Sequence, residues 1–347
     1  MVCNAFKAPY IDTELKIFYD NFEIEYFEYK LSKGFFMKIM NIFRCLYISI
    51  IVVPKVDVVY SIFAGFHSFF PILIGKILKK KTIITVAGFD TVSIPSIKFG
   101  VFYKNNLLQY CVRKQFLWAD YILPVDESLE MSVNYYADPN GVGYPNGVKN
   151  FVQTHAKIIT IPFGYDNQRF KRKLNLKSEY DVITIGWVTT AQVFHRKGFD
   201  LVLEAAKNLP NVSFLIVGMS KEIQDTFYNS ISENITIKEF VDHDQMINLL
   251  SASKVYLQLS LSEGLPNTLC EAMLCECIPI GSDVNGIPKA IGNTGYVLKV
   301  KNVDILKSYI EEALKMDANQ GALARERIMS MFPLSKRIEG LKTIINS

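Results

Sequence analysis

The chain has no arginine-rich run, no cysteine framework and no glycine-rich dinucleotide turn, and each absence closes a class of function. A formal charge of +4 over 347 residues is too mild to argue for nucleic acid. Cys3, Cys45, Cys111, Cys270, Cys275 and Cys277 lack disulfide spacing. They read as small buried hydrophobes in a reducing compartment, with a metal at Cys270, Cys275 and Cys277 as the alternative. No G-x-G-x-x-G turn follows a strand, which argues against an oxidoreductase. No basic-apolar-small leader opens the chain, so a cytoplasmic location is the default expectation. What is present is apolar: 50% of the residues are hydrophobic, enough to bury a large core and to predict two domains.

Two stretches raise the question of a membrane. Val58 to Gly75 carries no acidic or basic charge, close to the ~18 apolar residues that flag a spanning helix. It is interrupted by Ser61, Gly65, His67, Ser68 and Pro71, and reads as strand, loop and helix start. Gly34 to Val53 is aliphatic and aromatic but broken by Lys38 and Arg44. It reads as a core helix, or as a helix resting on a membrane surface with its cations toward lipid phosphates. The core reading is preferred.

Elsewhere strand-like runs alternate with helical patterns. Ile24–Tyr29, Val56–Ile62, Thr82–Val86, Tyr121–Val125 and Lys157–Ile161 predict a first sheet. Asp181–Gly186, Val212–Val217, Ile235–Phe240, Val255–Leu259 and Ile278–Ser282 predict a second, with helices such as Gly198–Asn208 and Asp244–Ala252 between them. This rhythm predicts two parallel-sheet α/β domains. The boundary is expected near Gly164 to Lys173, and Asp138 to Lys149 reads as a mobile loop.

The chemistry concentrates in Ser262 to Pro288. Gly264, Leu265, Pro266 and Asn267 read as a tight turn into a helix, with proline tolerated where an N–H would be orphaned. Glu263 lies on that loop and Glu271 about one turn into the helix, so both carboxylates can face one cleft beside N–H groups suited to a phosphate. Carboxylates for hydroxyls and amides for an anion suit a phosphorylated sugar.

With EGLPN…EAM joined to RKGFDLVLEAAKNLPNVSFLIVG from Arg196, and more weakly to IPFGYDNQRF, LPVDESL and the AGFD turn from Ala87, the chain resembles glycosyltransferases of the GT-B fold, retaining family 4 type. The resemblance implies two Rossmann-like domains facing a cleft: residues 1–165 for the acceptor, 166–333 for a nucleotide-diphosphate sugar, and a helix over 334–347 packing back on the first. It implies that Lys197, with Arg196 or His195, neutralises the donor diphosphate, that Glu271 accepts hydrogen bonds from ribose hydroxyls, and that Glu263 faces the transferred sugar. The amides from Gly264 through Thr268 would receive sugar or diphosphate. The resemblance points to Asp90, in the AGFD turn with Gly88, as a catalytic candidate near the acceptor or the donor sugar, and loop position adds His67 on the acceptor side. Asp90 capping a helix and His67 as a hydrogen-bonded structural histidine are the alternatives.

Several positions depart from the family pattern. Trp187 follows Gly186 where an arginine is common, Lys289 follows Gly-Ile-Pro where an acid is common, and Val2 to Phe6 is a poor substitute for a glycine-rich first loop. No D-x-D pair stands where metal-dependent transferases hold Mn²⁺ or Mg²⁺, so the expectation is a metal-independent, configuration-retaining transfer without cofactor. The expected acceptor is a glycan or lipid-linked molecule of surface polysaccharide synthesis, with peripheral contact at the inner membrane face. A degenerate GT-B subunit or a sugar-nucleotide epimerase is the alternative.

Overall fold

The computed structural model describes residues 1–4, 9–29, 34–138, 140–173, 176 and 179–347. Ala5 and Phe6 of the opening segment and Pro139 of the loop lie outside these residues. The chain divides into two compact units: unit 1 comprises Met1–Val133, Pro145–Pro162 and Ile338–Ser347, and unit 2 comprises Asn134–Tyr144 and Phe163–Arg337.

In unit 1 the strands β1 (Val2–Asn4), β2 (Tyr26–Glu28), β3 (Val58–Ile62), β4 (Lys81–Val86), β5 (Tyr121–Pro124) and β8 (Lys157–Ile158) form an all-parallel sheet. Its order is β2-β1-β3-β4-β5-β8. Strands β6 (Ser132–Asn134) and β7 (Tyr144–Asn146) pair separately. Helices α1 (Pro9–Asn21), α2 (Phe35–Val52), α3 (Phe66–Ile77), α4 (Leu107–Trp118) and α5 (Val148–Phe151) fall between the strands. The central strands read as apolar runs because both faces are covered: Val59, Ile62, Ile83, Ile84 and Val86 are wholly buried. Residues 338–347 complete this unit, with Lys81 Nζ donating to the carbonyls of Ile344 (3.1 Å) and Ile345 (3.0 Å).

Unit 2 repeats the plan. Strands β9 (Tyr180–Val188), β10 (Phe214–Met219), β11 (Ile235–Lys238), β12 (Ser253–Gln258), β13 (Ile278–Ser282) and β14 (Tyr296–Leu298) are all parallel, in the order β11-β10-β9-β12-β13-β14. The helices are α6 (Ala191–Arg196), α7 (Phe199–Asn208), α8 (Lys221–Thr226), α9 (His243–Ser251), α10 (Asn267–Leu274), α11 (Gly286–Ile291), α12 (Val303–Lys315) and α13 (Ala318–Met331). A last helix, α14 (Leu334–Asn346), follows. The strand order reverses between β9 and β12. Such a switch point opens a crevice at the strands' carboxyl ends, the usual binding place in open α/β sheets.

Two expectations need comment. Val58 to Gly75 is β3, a loop and the start of α3, as read from its polar interruptions. The core reading of Gly34 to Val53 is overturned. Cys45, Ser49 and Val53 are buried, but Phe36, Met37, Met40, Phe43, Tyr47 and Ile50 of α2 are each at least half exposed. The helix turns its small residues inward and its large apolar ones outward.

Candidate active site

Two loops meet at the switch point of unit 2. The first leaves β9 through α6, whose N-cap Thr190 accepts a hydrogen bond from the Val193 amide. Lys197 is the C-cap of this helix, and Gly198 turns the chain into α7 at φ 72°. A Cβ at Gly198 would stand 2.2 Å from the Leu259 carbonyl oxygen, so only glycine fits. The second loop leaves β12, and its Leu261 amide donates to the Arg196 carbonyl at 2.7 Å. These constraints bring Lys197 and Glu263, 66 positions apart in sequence, together: Nζ to Oε1 is 2.6 Å.

Glu263 is a hub. Its Oε1 also accepts from Ser260 Oγ (2.8 Å) and Gln258 Nε2 (3.4 Å), and Arg196 lies at 3.8 Å. Arg196 donates as well to the Ser262 carbonyl at 3.3 Å. Burial pushes the Glu263 carboxyl up, but Lys197, Arg196 and the hydrogen bonds outweigh it and hold the group below its ordinary value. It therefore stays ionised. His195, the other candidate for a phosphate cation, pairs instead with Asp200 at 3.2 Å, which Lys301 also reaches at 2.6 Å. Trp187, where an arginine is common, is exposed and packs edge-on against Phe240 at 5.2 Å.

Gln258 and Ser260 drew no notice as site residues in the sequence, where they looked like the polar beats of a strand end. Behind Glu263 they form a buried chain: Tyr256 Oη donates to Gln258 Oε1 (3.0 Å), Gln258 Nε2 to Ser260 Oγ (2.8 Å), and Ser260 to Glu263. Ser282 Oγ fixes the Ser260 carbonyl at 2.6 Å. Every member is satisfied, the condition for a polar network to rigidify a core.

The loop then runs through Gly264 and Leu265 to Pro266, the N-cap of α10, which offers no side-chain cap. The first-turn amides, those of Asn267 and Thr268 among them, have no side-chain partner among the described residues, which leaves donors of the kind anions bind. Gly264, Leu265 and Pro266 are buried, while Asn267 and Thr268 are half-exposed. The loop is pinned from behind, with the Gly286 amide donating to the Gly264 carbonyl at 2.9 Å. A Cβ on Gly286 would come within 2.7 Å of that oxygen.

Glu271 projects from α10 with only 9% of its surface exposed. No side chain or amide among the described residues hydrogen-bonds to its carboxylate. Burial raises it to about 7, with Arg169 partly opposing. An unpartnered buried carboxylate is expensive, which is what a group kept for a ligand looks like. The far end of α10 is held by Arg325, whose guanidinium donates to the Leu274 carbonyl and to those of Phe170 and Asn167, both at 2.7 Å. A cation there also complements the helix dipole.

A strap from earlier in the chain belongs to this unit: within 134–144, Asn134 Nδ2 donates to the Leu261 carbonyl at 2.8 Å. Within the stretch expected to be mobile, Asp138 accepts from the amides of Asn140 (3.0 Å) and Gly143 (2.8 Å). The sequence does spell one D-x-D, Asp242–His243–Asp244, and Asp242 is spent capping α9 through the Gln245 amide at 2.8 Å. Cys270, Cys275 and Cys277 are free and buried, and among the described residues no group of three His, Cys, Asp or Glu could hold a metal.

In unit 1, Asp90 and Gly88 follow β4. Gly88 has φ 132° and Asp90 sits in a short 3-10 turn, so it caps no following α-helix. Its Oδ2 accepts from the Ala64 amide at 3.1 Å, whereas Oδ1 is buried without a partner. Burial raises this carboxyl to about 6. His67 is buried differently: its Nε2 lies 3.0 Å from the Ile62 carbonyl and 3.3 Å from Ser61 Oγ. Desolvation lowers it to about 4, so the neutral ring serves the β3–α3 junction.

The chain is similar to known proteins in sequence and in fold. Residues 166–328 match the family described as Glycosyl transferases group 1. A phosphatidylinositol N-acetylglucosaminyltransferase subunit from Arabidopsis thaliana is 26% identical over 171 residues, 46% of this chain and 37% of that protein. N-acetyl-alpha-D-glucosaminyl L-malate synthase from Bacillus anthracis is 28% identical over 284 residues, 76% of this chain and 65% of that protein. The chain thus spans between 37% and 65% of the length of these two relatives. The structure of sucrose-phosphate synthase from Thermosynechococcus elongatus superposes with a TM-score of 0.68 at 16% identity, covering 91% of this chain and 80% of that one. Two all-parallel α/β units and the superposition lead to one conclusion: the chain has the GT-B fold, and its residues 166–328 match the Glycosyl transferases group 1 family.

Proposed function

We propose that this chain is a glycosyltransferase that moves a sugar from a nucleotide-diphosphate sugar to a glycan or lipid-linked acceptor, retaining the anomeric configuration and needing no metal. The setting that fits is surface polysaccharide synthesis on the cytoplasmic side of a membrane. One observation carries the reading: Lys197 and Glu263 meet at 2.6 Å at the switch point that also presents the unpartnered Glu271.

Each group has a task in that reaction. Glu271 accepts hydrogen bonds from the ribose hydroxyls, and such charge-assisted bonds are worth about 1.5–3 kcal/mol each. The first-turn amides of α10, Lys197 and Arg196 receive the diphosphate. As the bond from the anomeric carbon to the diphosphate oxygen breaks, negative charge grows on the leaving group. Fixed cations stabilise it without reorganisation, a contribution of several kcal/mol. Lys197 and Arg196 make a metal counter-charge unnecessary. Ionised Glu263 binds the sugar hydroxyls and stabilises positive charge on the ring. The acceptor oxygen bonds to the anomeric carbon from the leaving-group side, and its proton passes to the departing nucleoside diphosphate. Asp90, with one free carboxylate oxygen, accepts a hydrogen bond on the acceptor side.

The two relatives described above are named for N-acetylglucosaminyl groups, so a nucleotide N-acetylglucosamine is the first donor to try. The test is thermal stabilisation by UDP-, GDP-, ADP-, TDP- and CMP-sugars, beside Glu271→Ala. A ligand that binds only the folded state raises the melting temperature in step with its affinity. A shift with one nucleotide class, lost in Glu271→Ala, is the expected result. No shift with any donor, in a chain that melts cooperatively, refutes the donor site.

A further inference from the structure

Helix α2 is built the wrong way round for a water-facing helix. Phe36, Met40, Phe43, Tyr47 and Ile50 recur at helical spacing on one stripe and are 79, 62, 65, 66 and 56% exposed. Its inward stripe is short and small-sided: Cys45 Sγ donates to the His67 carbonyl at 3.4 Å and Ser49 Oγ to the Cys45 carbonyl at 2.6 Å. From Phe36 to Ile50 the outward stripe is roughly 21 Å long. An exposed apolar strip of that length marks an interaction surface rather than scattered surface hydrophobes.

Charge identifies what covers it. Between Tyr29 and Phe89 the sequence carries eight lysines and one arginine against a single acid, Asp57. Lys38 and Arg44 on α2 and Lys55 just after it are exposed, as are Lys76 and Lys79 at the end of α3, beside the exposed Ile77 and Leu78. A second copy docked face to face would set these cations against themselves. A bilayer leaflet bearing anionic headgroups takes the apolar stripe into its acyl boundary and the cations at its surface.

We propose that α2 lies in the plane of an anionic membrane surface, with Phe36, Met40, Phe43, Tyr47 and Ile50 inserted and Lys38, Arg44 and Lys55 against lipid phosphates. The helix does not span. Cys45 and Ser49 in its C-terminal half, and Val53 directly after it, are buried within unit 1, and a span would strip them from that packing. This surface goes beyond the transfer reaction and holds for any acceptor, so its test reads lipid binding alone.

The experiment is sedimentation of the full chain with vesicles of phosphatidylcholine, and of phosphatidylcholine mixed with phosphatidylglycerol, across a sodium chloride titration. The wild type is expected to bind the anionic vesicles preferentially and to be released progressively by salt. The pair Phe43→Glu and Ile50→Glu is expected to lower partitioning more than about tenfold, and the pair Lys38→Glu and Arg44→Glu to abolish the preference for anionic lipid. Melting curves and nucleotide-sugar stabilisation control for folding. If the apolar pair fails to melt cooperatively, the basic pair and the wild-type salt titration decide. Equal binding to both vesicles, binding unaffected by either pair, or no binding overturns the proposal. So does a dimer dispersed by the apolar pair, which would assign the face to a second copy, or retention in membranes after alkaline carbonate, which would make α2 a span. A donor-induced melting shift that survives loss of vesicle binding separates this surface from the catalytic reading.

Discussion

Replacing Glu271 with glutamine should stabilise unit 2 at alkaline pH while disabling its ligand binding. Burial raises the carboxyl from 4.5 to about 7. At about 1.4 kcal/mol per pH unit, ionising it inside the fold costs about 3 kcal/mol. The folded state therefore holds a proton that the unfolded chain has already released between pH 4.5 and 7. Stability is full below 4.5, falls as pH rises, and levels off above 7. Glutamine has no such titration. It adds a buried amide whose own cost of about 1–3 kcal/mol does not vary with pH. The difference between the two proteins should thus swing by about 3 kcal/mol toward the variant from pH 4.5 to 8. Trp118 lies in unit 1 and Trp187 in unit 2, so guanidinium unfolding followed by fluorescence in a Trp118→Phe background reports unit 2. Nucleotide-sugar affinity should fall by about two orders of magnitude, since charge-assisted bonds to a diol are lost. Parallel stability curves for wild type and variant would refute the reasoning, because they would mean that the carboxylate is already paired in the fold.

Other perturbations follow from the same geometry. Lys197→Ala should cut kcat/KM by about 10²–10³ while leaving a folded protein, checked by steady-state transfer beside circular dichroism. Gly198→Ala should destabilise unit 2 by more than about 1 kcal/mol, because a left-handed backbone and the Leu259 carbonyl both oppose a Cβ; guanidinium unfolding measures it. With Asp90 raised to about 6, transfer should rise with pH through that value as the carboxylate forms, and Asp90→Asn should remove the limb without changing donor affinity. Dialysis against a chelator should leave transfer unchanged, and loss of activity restored by Mn²⁺ or Mg²⁺ would overturn the metal-independent reading.

The sheets were legible because buried parallel strands are written as apolar runs, and a run such as Thr82–Val86 has no other use. The three-residue strands β1 and β14 were missed because Val2–Asn4 and Tyr296–Leu298 are too short to show a pattern. Helix α2 was misread for a deeper reason: an apolar sequence states that a face avoids water, not whether protein or something else covers it. At the site, Glu263, Glu271 and Lys197 stood out through a motif, whereas Gln258 and Ser260 share the spelling of an ordinary strand end. Their role appears only when β12 delivers them behind Glu263. Nor does sequence choose between His195 and Arg196, adjacent residues whose side chains the end of α6 sends to Asp200 and toward Glu263.

The polypeptide passes into unit 2 at Asn134, returns at Pro145, passes again at Phe163 and comes back at Ile338. Neither unit is therefore a contiguous stretch that could be excised and kept whole. A fragment beginning at Phe163 would leave the Leu261 carbonyl without its Asn134 donor, two residues from Glu263. During synthesis, unit 1 must wait for residues 338–347, which emerge after all of unit 2, before Lys81 meets the carbonyls of Ile344 and Ile345. The half translated first is thus the half completed last, and a released chain truncated after Arg337 should offer proteases a finished unit 2 on an unfinished unit 1.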